Sequence, residues 1–314
     1  MNETNNLKID FNYFPFLNLA MVQNKYPVAK GIVIENSGTE TLENLTLMIT
    51  PGADFAAEYK TEIAKIEPGE KIDLSVKTDV NQGFVLQLSE ELETDFTISI
   101  KYGDTTLHTQ KFPMRVLPAE FYIHDFIPEL LASFVTPNLM QVRMIVSRAA
   151  KILQEFTGDS TIDGYESRSV NRVRQMAGAI FEALKEQKIA YILPPADASE
   201  IQGQRIRFAD EVIENKAGTC VETALLYASC LECAMLYPIV IAIHGHAFVG
   251  VHLEPETFQD SVSDDLTELT KRLGEGMRSI EVVESTCIDT PSNVNFEEAC
   301  TQGATHLIAL SEFE

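Results

Sequence analysis

The sequence predicts an α+β protein in two parts, a β-rich front and a mixed helical and stranded back. Three observations carry this. Short β-branched runs separated by turn dipeptides fill residues 1–117. Two long stretches with apolar residues at helical spacing follow. A helix-like run starting at Cys220 then leads into the apolar stretch Ile239–Val251. A length of 314 residues sets two domains as the expectation, 1–117 and 118–314.

In the front part, GIVIE, LTLMIT, KIDLSV and FTISIKY read as strands, with Asn-Ser-Gly, Pro-Gly and Tyr-Gly-Asp as the turns between them. Regular short strands of this kind suggest an immunoglobulin-like β-sandwich. ENSGTETLENLTLMITPG resembles bacterial immunoglobulin-like adhesion or scaffold modules, which implies a fold and no activity. His108 is expected to be an ordinary exposed strand residue.

The boundary is expected near Val116-Leu117-Pro118. Beyond it, Pro128 opens a short helix. Residues 138–156 and 168–187 are amphipathic helices. Arg143, Arg148, Arg168, Arg172 and Arg174 are the basic concentration of this region and are expected to pair with neighbouring acids. Ile189–Leu193 reads as a short strand, residues 196–207 as a loop, and Asp210–Asn215 as a short helix leading to Gly218.

From Cys220 to Met235 the apolar positions recur at three and four, with Thr219 as N-cap. Cys220 then falls in the first helical turn, where unpaired N–H groups and the helix dipole favour a thiolate. IVIAI and HAFVGV read as strand segments with a kink at His244-Gly245, so that His244, His246, Phe248 and Gly250 share a face. A strand histidine aimed at a helix N-terminus is the base a thiol nucleophile needs. The region 264–273 is expected to be helical within an acidic excursion, and Asn295–Cys300 a short helix.

GTCVETALLYASCLE followed by GHAFVGV resembles the transglutaminase-like, papain-type cysteine superfamily. IQGQRIRFADEVIENKAGTC…GHAFVGV is similar to a bacterial family of unknown function found at the N-termini of superfamily-1 helicase-like proteins. The likeness is specific over 201–251 and looser elsewhere. It implies a transglutaminase-like α+β domain with the cysteine at a helix start, the histidine on the next strand and an acid on the strand after. Carried onto this chain, the triad is Cys220, His246 and Glu284, with Glu standing where the pattern has Asp. His244 competes with His246, and Asp289 is the alternative to Glu284. The same resemblance implies a glutamine at the oxyanion, for which Gln204 and Gln202 are candidates. It also implies a chain that continues beyond residue 314.

Composition narrows the classes. A formal charge of −23, from 24 basic and 47 acidic residues, argues against direct binding to nucleic acid or an anionic membrane. No apolar run approaches a membrane span, and the polar start MNETNNLKID predicts a cytoplasmic protein. The five cysteines suggest no disulfide framework, and Cys230-x-x-Cys233 lies inside the predicted helix without a second ligand pair. No cofactor and no metal are expected; a Cys220–His246 metal site lacks further ligands. Two functions stand side by side. One is a cysteine hydrolase or acyltransferase (protease, deamidase or transglutaminase type) acting on a protein or peptide. The other is a catalytically silent scaffold attached to or regulating a helicase-like partner.

Overall fold

The computed structural model describes residues 6–123, 126–193, 203–274, 277–289 and 291–311. The protein is α+β, and its chain divides into two compact units, Met1–Phe121 and Tyr122–Glu314.

The first unit holds β1 (Leu7–Tyr13), β2 (Phe16–Leu17), α1 (Leu19–Gln23), β3 (Ala29–Asn36), β4 (Leu42–Pro51), β5 (Tyr59–Ile66), β6 (Lys71–Ser75), α2 (Gln82–Leu86), β7 (Leu92–Tyr102) and β8 (Thr105–Val116). Strands β1-β3-β6 form one sheet and β2-β8-β7-β4-β5 another, all antiparallel except the β2–β8 pair. Alternation drives their packing: Leu45, Leu47 and Ile49 of β4 are buried while the residues between them are not. The sheets meet through aromatic edges, with Phe11 of β1 5.7 Å from Phe96 and 5.2 Å from Phe112 between ring centres. His108 corrects the expectation of an exposed strand residue. It is buried on β8 opposite Ile100, at the point where the β7–β8 register shifts.

The second unit contains β9 from its second residue onward (Phe121–Ile123), a 3-10 turn at Pro128–Phe134, α3 (Met140–Thr157), α4 (Val170–Lys185), β10 (Ala190–Tyr191), β11 (Gly203–Arg205) and α5 (Ala209–Asn215). Then come β12 (Ala217–Gly218), α6 (Cys220–Cys233), β13 (Pro238–Ile243), β14 (His246–His252), α7 (Leu266–Leu273), β15 (Ile280–Val283) and α8 (Phe296–Ser311). The sheet β13-β14-β15 is antiparallel and covered on both faces. Val249, Val251 and Val283 join the core made with α3, α4 and α6. Phe248, Ile280 and Val282 face Leu307 of α8 and the leucines of α7. Double coverage explains why β14 reads as an unbroken apolar run and not as an alternation.

Helix α6 is the centre of this unit. Residues Val221–Leu231 are buried on every side, as a helix enclosed by others requires. Tyr227, fully buried, satisfies its hydroxyl by donating to the Ala177 carbonyl of α4 at 2.8 Å. Three of the five arginines pair with acids: Arg148 with Glu186, Arg172 with Asp159, and Arg174 with Glu281 and Glu297.

Three local expectations change. His244-Gly245 is a two-residue hairpin reversal, not a kink within one strand face, because Gly245 takes φ +73° and lets Ile243 pair with His246. His244 is therefore exposed in the turn. Glu284 lies just past β15, at the N-cap of a 3-10 turn over Ser285–Ile288, and not in the strand. The short helix expected at Asn295–Cys300 is one helix of 16 residues, reaching Ser311.

Candidate active site

Cys220 is the first residue of α6 and is half-buried. Its position is fixed by a capping box. Glu222 Oε2 accepts from the Thr219 N–H at 2.8 Å, and Thr219 Oγ1 accepts from the Glu222 N–H. Glu222 is 2% exposed, and Arg207 grips it with Nε at 2.9 Å and Nη2 at 2.7 Å. Burial pushes this carboxyl up, yet the hydrogen bonds from the Arg207 side chain and the backbone N–H groups of Arg207 and Thr219 outweigh it. The net pKa is lowered. A bare carboxylate two residues from a thiol would oppose thiolate formation; the guanidinium offsets that charge.

His246 opens β14, with Phe248 stacked beside it at 5.9 Å. Its Nε2 meets Glu284 Oε2 at 2.8 Å. Glu284 is 3% exposed, and its other oxygen, Oε1, accepts from the Thr286 N–H at 2.9 Å and the Thr286 hydroxyl at 2.6 Å. Burial works to raise the Glu284 pKa, but the Thr286 and His246 hydrogen bonds prevail and hold it below the ordinary value.

A residue that the sequence reading did not single out completes this cluster. His306 of α8 brings its Nε2 to the same Glu284 Oε2 at 2.9 Å. The three ring and carboxylate atoms lie within 4.8 Å of one another. Gly303 makes the approach possible. A Cβ there would sit 3.0 Å from the Val283 nitrogen and 3.1 Å from the Glu284 nitrogen, so only glycine lets α8 lie directly on the strand end. The Glu284 N–H in turn donates to the Ala299 carbonyl of α8 at 3.0 Å. The signal was present in the sequence: Phe296, Ala299, Cys300, Gly303 and Leu307 keep helical spacing through THLIAL.

Helix α6, which starts at Cys220, packs on the sheet face that carries Val249 and Val251, whereas His246 and Glu284 meet His306 of α8, and among the described residues no hydrogen bond joins Cys220 to His246. Thr223, one turn along α6 on the Cys220 face, donates to Asp289 Oδ1 at 3.2 Å. Asp289 and His246 line one cleft together with Tyr191, Thr286 and Cys287. Tyr191 belongs to β10, which pairs in parallel with β12 immediately before the α6 cap. Its phenol pKa is raised by burial first, and further by the charges of Cys220, Asp289 and Glu284. Asp289 Oδ2 is buried with no hydrogen-bond partner among the described residues. Burial, opposed by the Thr223 hydrogen bond and aided by Glu284, pushes its carboxyl up to about 7.

Gln204 is half-buried on β11, while Gln202 lies outside the described residues. Cys230 is fully buried in α6 and burial raises its thiol pKa; Cys233, at the helix end, is half-buried. No helix among the described residues is long and apolar enough to cross a membrane.

No family profile and no curated protein matches the chain. Among solved structures, the chain is similar to a FixG-related protein from Vibrio parahaemolyticus over 36% of its own length and 94% of that chain. The identity is 16% and the TM-score 0.24, a likeness that carries no argument about fold or activity.

Proposed function

We propose that the second unit is a transglutaminase-like domain carrying out cysteine-dependent acyl transfer or amide hydrolysis on a protein or peptide, with an immunoglobulin-like sandwich as the first unit. Cys220 is the nucleophile, His246 its base, and Glu284 the carboxylate that orients the imidazole. The observation that carries the reading is the 2.8 Å His246 Nε2–Glu284 Oε2 bond.

Because Glu284 takes the Nε2–H, the lone pair of His246 is on Nδ1. Nδ1 accepts the Cys220 Sγ proton, and the thiolate attacks the substrate carbonyl carbon. The carbonyl π pair moves onto oxygen. The capping box uses the N–H groups of Thr219 and Glu222, which leaves those of Cys220 and Val221 to donate to that oxyanion. Gln204 is the side-chain candidate for the same task. Collapse expels the amine or alcohol, which takes the proton from His246, and a thioester on Cys220 remains. Water then gives hydrolysis and an amine gives transfer.

Incubation with p-nitrophenyl acetate tests this. Mass spectrometry of tryptic peptides should find the acetyl group on Cys220, and the acylation rate should fall roughly a hundredfold or more in His246→Ala. Acylation spread over several cysteines, or a Cys220 rate indifferent to His246, contradicts the reading.

The second reading, a catalytically silent scaffold for a helicase-like partner, is favoured by one observation. His246 shares its strand face with Phe248, on the side where His306 of α8 lies, whereas α6 packs on the other face. In that reading Cys220 is not acylated at all.

A further inference from the structure

Two imidazoles from different elements converge on one oxygen of a buried carboxylate. His246 comes from β14, His306 from α8, and Glu284 from the turn after β15. Their Nε2 atoms stand 2.8 Å and 2.9 Å from Glu284 Oε2. We propose that His246 Nε2, His306 Nε2 and Glu284 Oε2 form a binding site for a divalent transition-metal ion of the zinc class.

The donor set selects the class. Two imidazole nitrogens and one carboxylate oxygen suit zinc and its transition-metal neighbours, and not calcium or magnesium, which demand oxygen ligands. Bonds of about 2.0–2.1 Å in a tetrahedron put ligand atoms roughly 3.3 Å apart, so on loading Oε2 withdraws by about half an ångström from each nitrogen, and the two nitrogens, which lie within 4.8 Å of each other, settle to the same separation.

Glu284 is prepared as a single-oxygen ligand. Its Oε1 is engaged by the Thr286 N–H and hydroxyl, which fixes the carboxylate plane and presents Oε2 alone. Gly303 supplies the second, independent sign of a built site, because the helix carrying His306 is brought into backbone contact with the residue carrying the carboxylate. The entry side is open: the His306 side chain is 42% exposed and that of His246 is 23% exposed, against 4% for Glu284. Three protein ligands leave a fourth position for water or a substrate atom.

Metal and proton relay use His246 in incompatible tautomers. The relay needs the proton on Nε2, donated to Glu284, while ligation needs the Nε2 lone pair and moves the proton to Nδ1. The site does not depend on the relay being used, and its test does not involve Cys220 acylation.

The chelator-treated chain is titrated with zinc chloride in a calorimeter, and with cobalt(II) in a spectrophotometer. The wild type should take up one equivalent with a tetrahedral cobalt spectrum, and zinc should raise its Tm. Glu284→Gln and His306→Ala should each weaken binding at least about tenfold and remove the zinc-dependent rise in Tm. Cys220→Ala should bind as the wild type does. His306→Gln repeats the measurement with a bulkier side chain should His306→Ala not fold. An absence of zinc uptake by the wild type, uptake indifferent to both His306 variants, or uptake lost in Cys220→Ala overturns the proposal; the last outcome would indicate a Cys220-centred site instead.

Discussion

Glu222 and Glu284 are both almost fully buried, both sit at a turn-to-helix junction, and both have lowered pKa values. They differ in their partners. Glu222 is held by Arg207, whose charge is permanent, and by the backbone of its own cap. Glu284 is held by Thr286 and by two imidazoles, which can gain, lose or shift a proton. The first arrangement fixes the N-terminus of α6 and hence Cys220. The second leaves a carboxylate whose environment can change during a reaction or on binding a cation. A buried acid with a permanent partner builds structure; one with titratable partners is available for chemistry.

The sharpest way to break that contrast is at Arg207. Arg207→Met strands Glu222 as a buried, unpaired charge and should cost about 3–5 kcal/mol in chemical denaturation. Adding Glu222→Gln should recover a large part of the loss, because the neutral amide no longer needs the guanidinium.

Asp289 shows what a buried carboxyl does without such a partner. Its folded pKa of about 7 lies above the unfolded value of 3.8, so the folded chain binds more protons between these two values. Stability from this group is therefore fully present below the unfolded pKa and is lost as pH rises through the folded one. Asp289→Asn should leave stability unchanged at low pH and raise it above about pH 8, by up to about 4 kcal/mol. Denaturation curves across that range check it; an equal effect at both ends contradicts the burial argument.

Gly303→Ala probes the α8 contact that brings His306 to Glu284. The new methyl meets backbone and not a mobile side chain, and should cost about 1–3 kcal/mol. It should also shift the His306 ring resonances, whereas the Arg207–Glu222 cap should be unaffected.

Glu284→Gln carries the smallest expected effect on stability, about 1 kcal/mol near neutral pH. Its sign with pH is opposite to that of Asp289. A lowered folded pKa means stability that is present above the unfolded value of 4.5 and lost as pH falls through the folded one. The variant should flatten the acid limb of the stability profile.

The two regions also differ in how far they could be read from sequence. The α6 N-terminus was legible because its determinants are local: Gly218, Thr219 and the helical period from Cys220 are within one turn of each other. The His246–Glu284 pairing was reached through resemblance, and the bond itself joins residues 38 apart. His306 lies beyond the helix expected over Asn295–Cys300, although the apolar period runs on to Leu307. The hairpin at His244-Gly245 was missed for a different reason. Both flanking strands are apolar, so composition alone does not distinguish a bend from a reversal, and only the positive φ of Gly245 settles it. In the first unit, β5 and β8 were not singled out, because KTEIAKI and TTLHTQKFPMRV are largely polar and gain their strand character from the neighbours they pair with. His108 follows from the same cause, since its burial is imposed by β7 across a register shift.

The most direct measurement is the rate of Cys220 alkylation by iodoacetamide as a function of pH, in the wild type and in His246→Ala. The proposed mechanism predicts a wild-type Cys220 that is alkylated faster than the other four cysteines, with that excess lost in the variant. A Cys220 alkylated at the same rate in both proteins would contradict the acyl-transfer account and favour the scaffold.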